Sequence, residues 1–119
     1  MYDLKKLHEI SMGNDAFVNQ MLETFMENVT RDIEVVRTHR AAENWSAVAE
    51  KAHKLASNFA YLNALGLKKQ ASGIERDVVY EGNLTGIAEK TDRLSADTAM
   101  LLEQLKQDFD FLRTNKNTC

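Results

Sequence analysis

One histidine lies where its neighbours are small enough to leave the imidazole accessible. His53 belongs to the segment AHKLASNF, residues 52–59. In a helix each residue advances about 100°, which places His53 about 40° outside an apolar stripe and beside mostly short side chains. The stripe comprises Val48, Ala49, Ala52, Leu55, Ala56, Phe59 and Leu62, and the nearby side chains are Ser46, Ala49, Glu50, Ala56, Ser57 and Ala60. An accessible imidazole can act as a nucleophile. The same placement also fits a polar residue at a helix boundary that does no chemistry.

Four long amphipathic segments and one short one must position this histidine. The predicted helices are Leu4 to about Ile10, Asp15 to about Arg40, Trp45 to about Leu62, Ala64 to about Tyr80, and about Leu84 to Arg113. Asp3, Asn14 and Asn44 precede three of these segments, and their side chains are suited to cap a helix. Asn63 marks a break, and Gly82 ends the fourth segment because glycine tolerates positive φ.

The second predicted helix has an unusually broad apolar face, about 180° wide. Its apolar residues are Phe17, Val18, Met21, Leu22, Phe25, Met26, Val29, Ile33 and Val36. Because one packing seam needs a narrower apolar face, we expect part of this face to offer a docking patch beside His53, with Val18, Leu22 and Met26 as candidates. Burial in the core is the alternative for each of them.

These segments predict an all-α fold. The economical arrangement is an antiparallel up-down-up-down four-helix bundle with a short extra N-terminal helix. The expected organisation is one domain over residues 1–119, with the N-terminal helix and turn at 1–13, the bundle at 14–113 and a frayed tail at 114–119. This fold needs no second chain, so we expect a monomer.

The composition narrows the classes of function. The 119 residues include no proline and one cysteine, Cys119, which excludes an intrachain disulfide and a zinc cluster of cysteines. With a net charge of −3 and no block of basic residues, the chain lacks the electrostatic signature of a nucleic-acid binder. No apolar run is long enough to span a membrane, which favours a cytoplasmic protein. No Walker loop or glycine-rich phosphate cradle is present, so the chain should not bind ATP, and its three histidines are too dispersed for a metal site.

The residues from His53 onward resemble the histidine phosphotransfer (HPt) domain family of phosphorelay signalling. The family signature is His-x-Leu/Ile-Lys-Gly, followed by a Gly ten residues after the histidine and a Glu or Gln twelve residues further on. Here His53 and Leu55 match the start of the signature and Glu75 matches its end. The resemblance covers essentially the whole chain and implies a four-helix bundle with an extra N-terminal helix.

Three positions depart from that signature. Ala56 replaces the usual lysine, Ser57 replaces a glycine, and Asn63 replaces the later glycine. Asparagine tolerates the left-handed conformation better than most residues, so Asn63 can still end the helix. The loss at Ala56 is more serious, because the resemblance gives the family lysine the task of neutralising phosphate. Lys54, and less directly Lys51 or Lys68, would then supply that charge.

The resemblance implies a phosphoryl carrier rather than a self-contained kinase. His53 would accept a phosphoryl group from the aspartate of a response-regulator receiver domain and pass it on, with a hybrid histidine kinase as a further partner. Glu75 would orient the ring, while Lys54, Ser57 and Lys68 would lie near the phosphate. No cofactor is expected on this chain, because Mg²⁺ would arrive with the acidic pocket of the receiver.

Two other classes of protein remain open. A non-catalytic helical adaptor could bind a receiver domain or a partner helix without being phosphorylated, and the absence of the family lysine favours that alternative. The dimerisation module of a sensor kinase fits less well, because that module usually has an acidic residue after its histidine and this chain has Lys54.

Overall fold

Every regular element within residues 2–114 is helical, as the sequence predicts. The computed structural model describes residues 2–114, so the predicted frayed tail lies, except for Thr114, outside the described residues. The helices are α1 (Lys5–Ile10), α2 (Asp15–Ala41), α3 (Trp45–Tyr61), α4 (Leu65–Glu75), a π-helical turn (Arg76–Tyr80), α5 (Ile87–Asp108) and α6 (Asp110–Thr114).

The core forms where α2, α3, α4 and α5 pack in a closed ring. Contacts join α2 to α3, α3 to α4, α4 to α5, and α5 back to α2, while α1 packs on α2. The bulkiest fully buried side chains are Phe59, Leu22, Leu55, Leu62, Ile74, Leu94, Leu101 and Leu105. Each of the four ring helices contributes at least one of them, so α3 is held on both flanks by packed neighbours.

Local capping interactions set the ends of α2 and α3. The side chain of Asn14 accepts a hydrogen bond from the Phe17 amide, and that of Asn44 accepts one from the Ala47 amide, which confirms both predicted caps. The prediction that Asp3 caps the first helix is wrong by one residue. The N-cap is Leu4, and the Asp3 carboxylate instead accepts hydrogen bonds from the Lys5 amide and the Asn63 side chain.

Asn63 ends α3 in the left-handed conformation, with a φ of 50°. This backbone conformation favours glycine, and asparagine is among the few other residues that adopt it at modest cost. The replacement of the family glycine by Asn63 is therefore compatible with the turn between α3 and α4. The Asn63 side chain also donates a 2.7 Å hydrogen bond to the Asp3 carboxylate, which ties the N-terminal segment to this turn.

The fourth predicted helix does not run unbroken to Tyr80. Its regular part ends at Glu75, and residues Arg76–Tyr80 widen into a π-helical turn closed by a 2.9 Å hydrogen bond from the Glu81 amide to the Arg76 carbonyl. The buried Asp77 carboxylate in this turn accepts a hydrogen bond from Lys90 on α5. That hydrogen bond, together with the positive charges of Lys90 and Arg76, lowers the pKa of Asp77. Asp77 thus links the π-helical turn to α5.

The last predicted helix, from Leu84 to Arg113, is shorter at its start and interrupted near its end. Gly86 precedes α5 with a φ of 69°, a conformation that a regular helix cannot include, so α5 begins at Ile87. Phe109 is extended, with φ −132° and ψ 100°, and it separates α5 from α6. After this break Leu112 reaches the core, where it is 3% exposed.

Candidate functional site

The imidazole of His53 lies on α3 with one edge held and the rest open to solvent. Its Nδ1 atom is 2.8 Å from Oε2 of Glu75, the last residue of α4. The side chain of His53 is 66% exposed, whereas that of Glu75 is 24% exposed. A partner protein can therefore reach the ring while a partly buried carboxylate fixes one of its nitrogens.

This contact distinguishes the two ring nitrogens chemically. A neutral imidazole carries its proton on one nitrogen and a lone pair on the other. A carboxylate 2.8 Å from Nδ1 favours the tautomer with the proton on that atom, because an ionised carboxylate only accepts hydrogen bonds. The lone pair then lies on Nε2, the nitrogen on the far side of the ring from Glu75. The arrangement can present a nucleophile and stabilise positive charge that develops on the ring.

Three further residues singled out by sequence, Lys54, Ser57 and Lys68, have exposed side chains. Within residues 2–114 neither lysine forms an ion pair with a carboxylate, so both ammonium groups are available to an incoming anion. Lys68 lies seven residues before Glu75 on the same face of α4. Ala56, at the position of the family lysine, is 8% exposed and forms part of the core.

Lys51 does not serve the site around His53. Its Nζ atom is 3.4 Å from Oδ1 of Asp32, a buried carboxylate on α2. Helical geometry places Lys51 about 160° around α3 from His53, which is consistent with this partner on the opposite side. The sequence-based suggestion that Lys51 could replace the missing lysine is therefore wrong.

The three residues predicted to form a docking patch on α2 are buried. Val18, Leu22 and Met26 are 3%, 0% and 6% exposed, so all three belong to the core. Accessible apolar surface on α2 lies instead in a groove of about 480 Å³ between α2 and α3, with Leu7 of α1 contributing. We call it the α2/α3 groove; it is lined by Leu7, Phe17, Gln20, Met21, Thr24, Phe25, Asn28, Asn58, Tyr61 and Leu62.

The α2/α3 groove and His53 flank the same exposed face of α3. Asn58, at the edge of the groove, lies about 140° around the helix from His53. Ser57 and Tyr61 fall between those two directions, and both have exposed side chains. A single docked protein could cover the groove and reach the imidazole by lying across this face.

A signal for the groove was present in the sequence. Phe17, Met21, Thr24 and Asn28 recur at intervals of four, three and four residues, which forms a continuous row on one side of a helix. The row changes from apolar to polar along its length, unlike the row that contains Val18 and Leu22. That change marks a boundary between core and solvent, and Phe17 is indeed 47% exposed.

Within residues 2–114 no three His, Cys, Asp or Glu side chains are grouped so as to hold a metal ion. Among the same residues, no helix combines the length and apolarity required to cross a bilayer.

Comparison with known proteins assigns the chain to a family. The family model described as "Hpt domain" matches residues 20–114, which is more than half of the chain and includes His53 and Glu75. No curated protein and no solved structure matches the chain.

Proposed function

The chain belongs to the Hpt domain family, the histidine phosphotransfer modules of two-component signalling, and we propose that His53 carries the phosphoryl group. The observation that supports this assignment is the 2.8 Å contact between Nδ1 of His53 and the carboxylate of Glu75, beside a ring that is 66% exposed. His8 and His39, the other two histidines, have no ion pair with a carboxylate within residues 2–114.

The proposed reaction is a phosphoryl transfer from an aspartyl phosphate to Nε2 of His53. The lone pair of Nε2 forms the new N–P bond while the bond between phosphorus and the aspartate oxygen breaks, and the aspartate leaves as a carboxylate. The proton on Nδ1 stays in place, and Glu75 stabilises the positive charge that the ring acquires. The reverse reaction returns the phosphoryl group to a second aspartate. The protein contributes mainly by positioning and electrostatic stabilisation.

The proposed partner is the receiver domain of a response regulator or of a hybrid histidine kinase. Such a partner supplies the aspartate and the Mg²⁺ that balances charge on the moving group, so this chain acts as a carrier and binds no cofactor of its own. We further propose a cytoplasmic monomer in which α2 to α5 form an up-down-up-down antiparallel bundle and α1 is the extra N-terminal helix. The single domain would span residues 1–119.

The α2/α3 groove is the proposed docking surface for the receiver. Apolar side chains that are exposed at a groove and become covered by a partner are the usual source of binding free energy in protein interfaces. Phe17 and Tyr61 are each 47% exposed and line this groove. Because about half of each side chain is exposed, removing either ring should cost less folding free energy than removing a fully buried side chain.

We expect Phe17→Ala and Tyr61→Ala each to weaken receiver binding by about tenfold or more, because each removes a large aromatic contact from the proposed docking surface. Isothermal titration calorimetry with an unphosphorylated receiver measures this change. Met100→Ala is the matched control, since Met100 is 60% exposed on α5 and does not line the groove. Equal affinities for all three variants would show that the receiver docks on another surface.

Lys54 and Lys68 are proposed to replace part of the charge lost at Ala56. Neither ammonium group has a carboxylate partner within residues 2–114, and both are exposed, so solvent and salt screen their attraction for the incoming phosphate. We expect Lys54→Gln and Lys68→Gln each to slow transfer by roughly two- to fivefold at low salt, with a smaller effect at high salt. Stopped-flow transfer rates test this. Lys5→Gln, on α1, is the control for the change in net charge. If Lys54→Gln or Lys68→Gln slows transfer no more than Lys5→Gln does, that lysine does not lie near the phosphate.

A non-catalytic adaptor remains the competing function, favoured by the absence of the family lysine. The two functions differ in one product. Incubation with a phosphorylated receiver should place on this chain a phosphate that is labile in acid and stable in alkali, as expected of phosphohistidine. A chain that binds the receiver yet acquires no such phosphate would be the adaptor.

A further inference from the structure

A cluster of basic side chains lies on the side of α4 that faces α5. It lines a cleft of about 190 Å³ bounded by Lys69, Gln70, Gly73, Ile74, Arg76, Asp77, Lys90 and Arg93. Four of these eight residues are cationic and one is anionic, in a chain whose net charge is −3. The charge of the cluster is therefore opposite in sign to the net charge of the protein.

Helical spacing explains how the cations converge. Lys69, Gly73 and Arg76 lie four and three residues apart along α4 and into the π-helical turn, so they share one face. Lys90 and Arg93 are three residues apart on α5 and share a face in the same way. The packing of α4 against α5 brings the two rows together around the cleft.

Asp77 compensates only part of this positive charge. Its carboxylate accepts a hydrogen bond from Lys90 and lies 3.8 Å from Nε of Arg76. Within residues 2–114 Lys69 and Arg93 have no carboxylate partner, and both side chains are exposed. Two cations at the cleft thus remain without a counter-charge, while Asp77 holds Lys90 and Arg76 in place.

Gly73 lies beneath the guanidinium of Arg76 in the lining of the cleft. A Cβ atom built at this position would lie 3.8 Å from Nη2 of Arg76, which is ordinary contact distance. The Arg76 guanidinium therefore extends over the glycine, and a longer side chain at residue 73 would meet it. Guanidinium groups bind tetrahedral oxyanions through two parallel N–H donors.

We propose that this cleft binds a phosphate group, through Lys69, Arg76 and Arg93, at a site separate from His53. The size of the cleft favours one compact oxyanion over an extended acidic peptide. The phosphate could be a free ion or part of a larger molecule, because the cleft is open on its outer side. This inference does not depend on phosphotransfer by His53, which lies on α3.

The test is an NMR titration of the whole chain with inorganic phosphate at constant ionic strength. We expect saturable shifts of the Gly73, Arg76 and Lys90 amides with a Kd of about 1 mM, typical of a few charge-assisted contacts. The His53→Gln variant should bind equally well, which separates this site from the proposed phosphotransfer. A parallel titration with adenosine monophosphate distinguishes the sources. Equal affinity indicates recognition of the phosphate group alone, and tighter binding indicates a larger ligand; either result supports a phosphate site.

Two variants and one control complete the test. Lys69→Gln/Arg93→Gln should weaken binding by about tenfold or more, and Gly73→Glu should do so by placing a carboxylate beside Arg76. Lys5→Gln/Arg37→Gln makes the same change in net charge away from the cleft and should bind like the unmodified chain. The proposal is overturned if no saturable shift appears at these amides, if the control weakens binding equally, or if poly-L-glutamate saturates the cleft and phosphate does not.

Discussion

His53→Gln is expected to abolish the acid-labile, alkali-stable phosphate that the chain acquires from a phosphorylated receiver. Glutamine has no ring nitrogen with an available lone pair, so the N–P bond cannot form. The substitution should leave the fold intact, because the His53 side chain is 66% exposed and contributes little to the core. Phosphate transfer after mixing with a labelled receiver is the measurement, and circular dichroism of the variant verifies its helical content.

The two other histidines provide matched controls for this substitution. His8→Gln on α1 and His39→Gln on α2 remove the same functional group from other parts of the surface. Both variants should be labelled as fast as the unmodified chain. If His53→Gln still acquires the phosphate, or if either control loses it, the nucleophile has been wrongly assigned.

Glu75→Ala is expected to slow transfer by about ten- to a hundredfold, the cost that is usual when a carboxylate that orients a metal-bound histidine is removed. Without Glu75 the ring loses its partner at Nδ1, so both its tautomer and its orientation become less defined. Glu75→Gln should cause a smaller loss, because an amide oxygen can still accept a hydrogen bond from Nδ1 but carries no charge. Single-turnover transfer rates under saturating receiver separate this effect from any change in binding.

Glu50→Ala is the control for the Glu75 series. Glu50 is an exposed carboxylate three residues before His53 on α3, so its removal changes the local charge without removing a contact to the ring. We expect its transfer rate to stay within about twofold of the unmodified chain. Equal rates for Glu75→Ala and Glu50→Ala would contradict an orienting role for Glu75. The contact between Glu75 and His53 would then be a surface ion pair with no role in transfer.

The sequence alone predicts those features that helical periodicity and side-chain size determine. The all-α class and the caps at Asn14 and Asn44 depend on local preferences that a single segment expresses by itself. The same periodicity indicates that the apolar face of α2 is wider than one packing seam. Which part of that face remains exposed depends on how α1 and α3 pack on it. For that reason periodicity alone does not distinguish Val18, Leu22 and Met26, which are buried, from Phe17 and Met21, which line the groove.

Features set by contacts between distant segments were not predictable in the same way. The π-helical turn after Glu75 is joined to α5 by the hydrogen bond between Asp77 and Lys90, thirteen residues apart in the chain. The involvement of Lys51 with Asp32 likewise depends on the packing of α2 against α3. Helical periodicity places each of these polar residues on a solvated face. It cannot identify the residue that each one contacts in the folded chain.

The most direct test of the central claim is to locate the phosphate by tandem mass spectrometry, after incubation with a phosphorylated receiver and digestion at alkaline pH. The structure leads us to expect the phosphate on the peptide that contains His53, with fragment ions that assign it to the imidazole. Phosphate on any other residue, or a chain that binds the receiver and remains unmodified, would contradict the account.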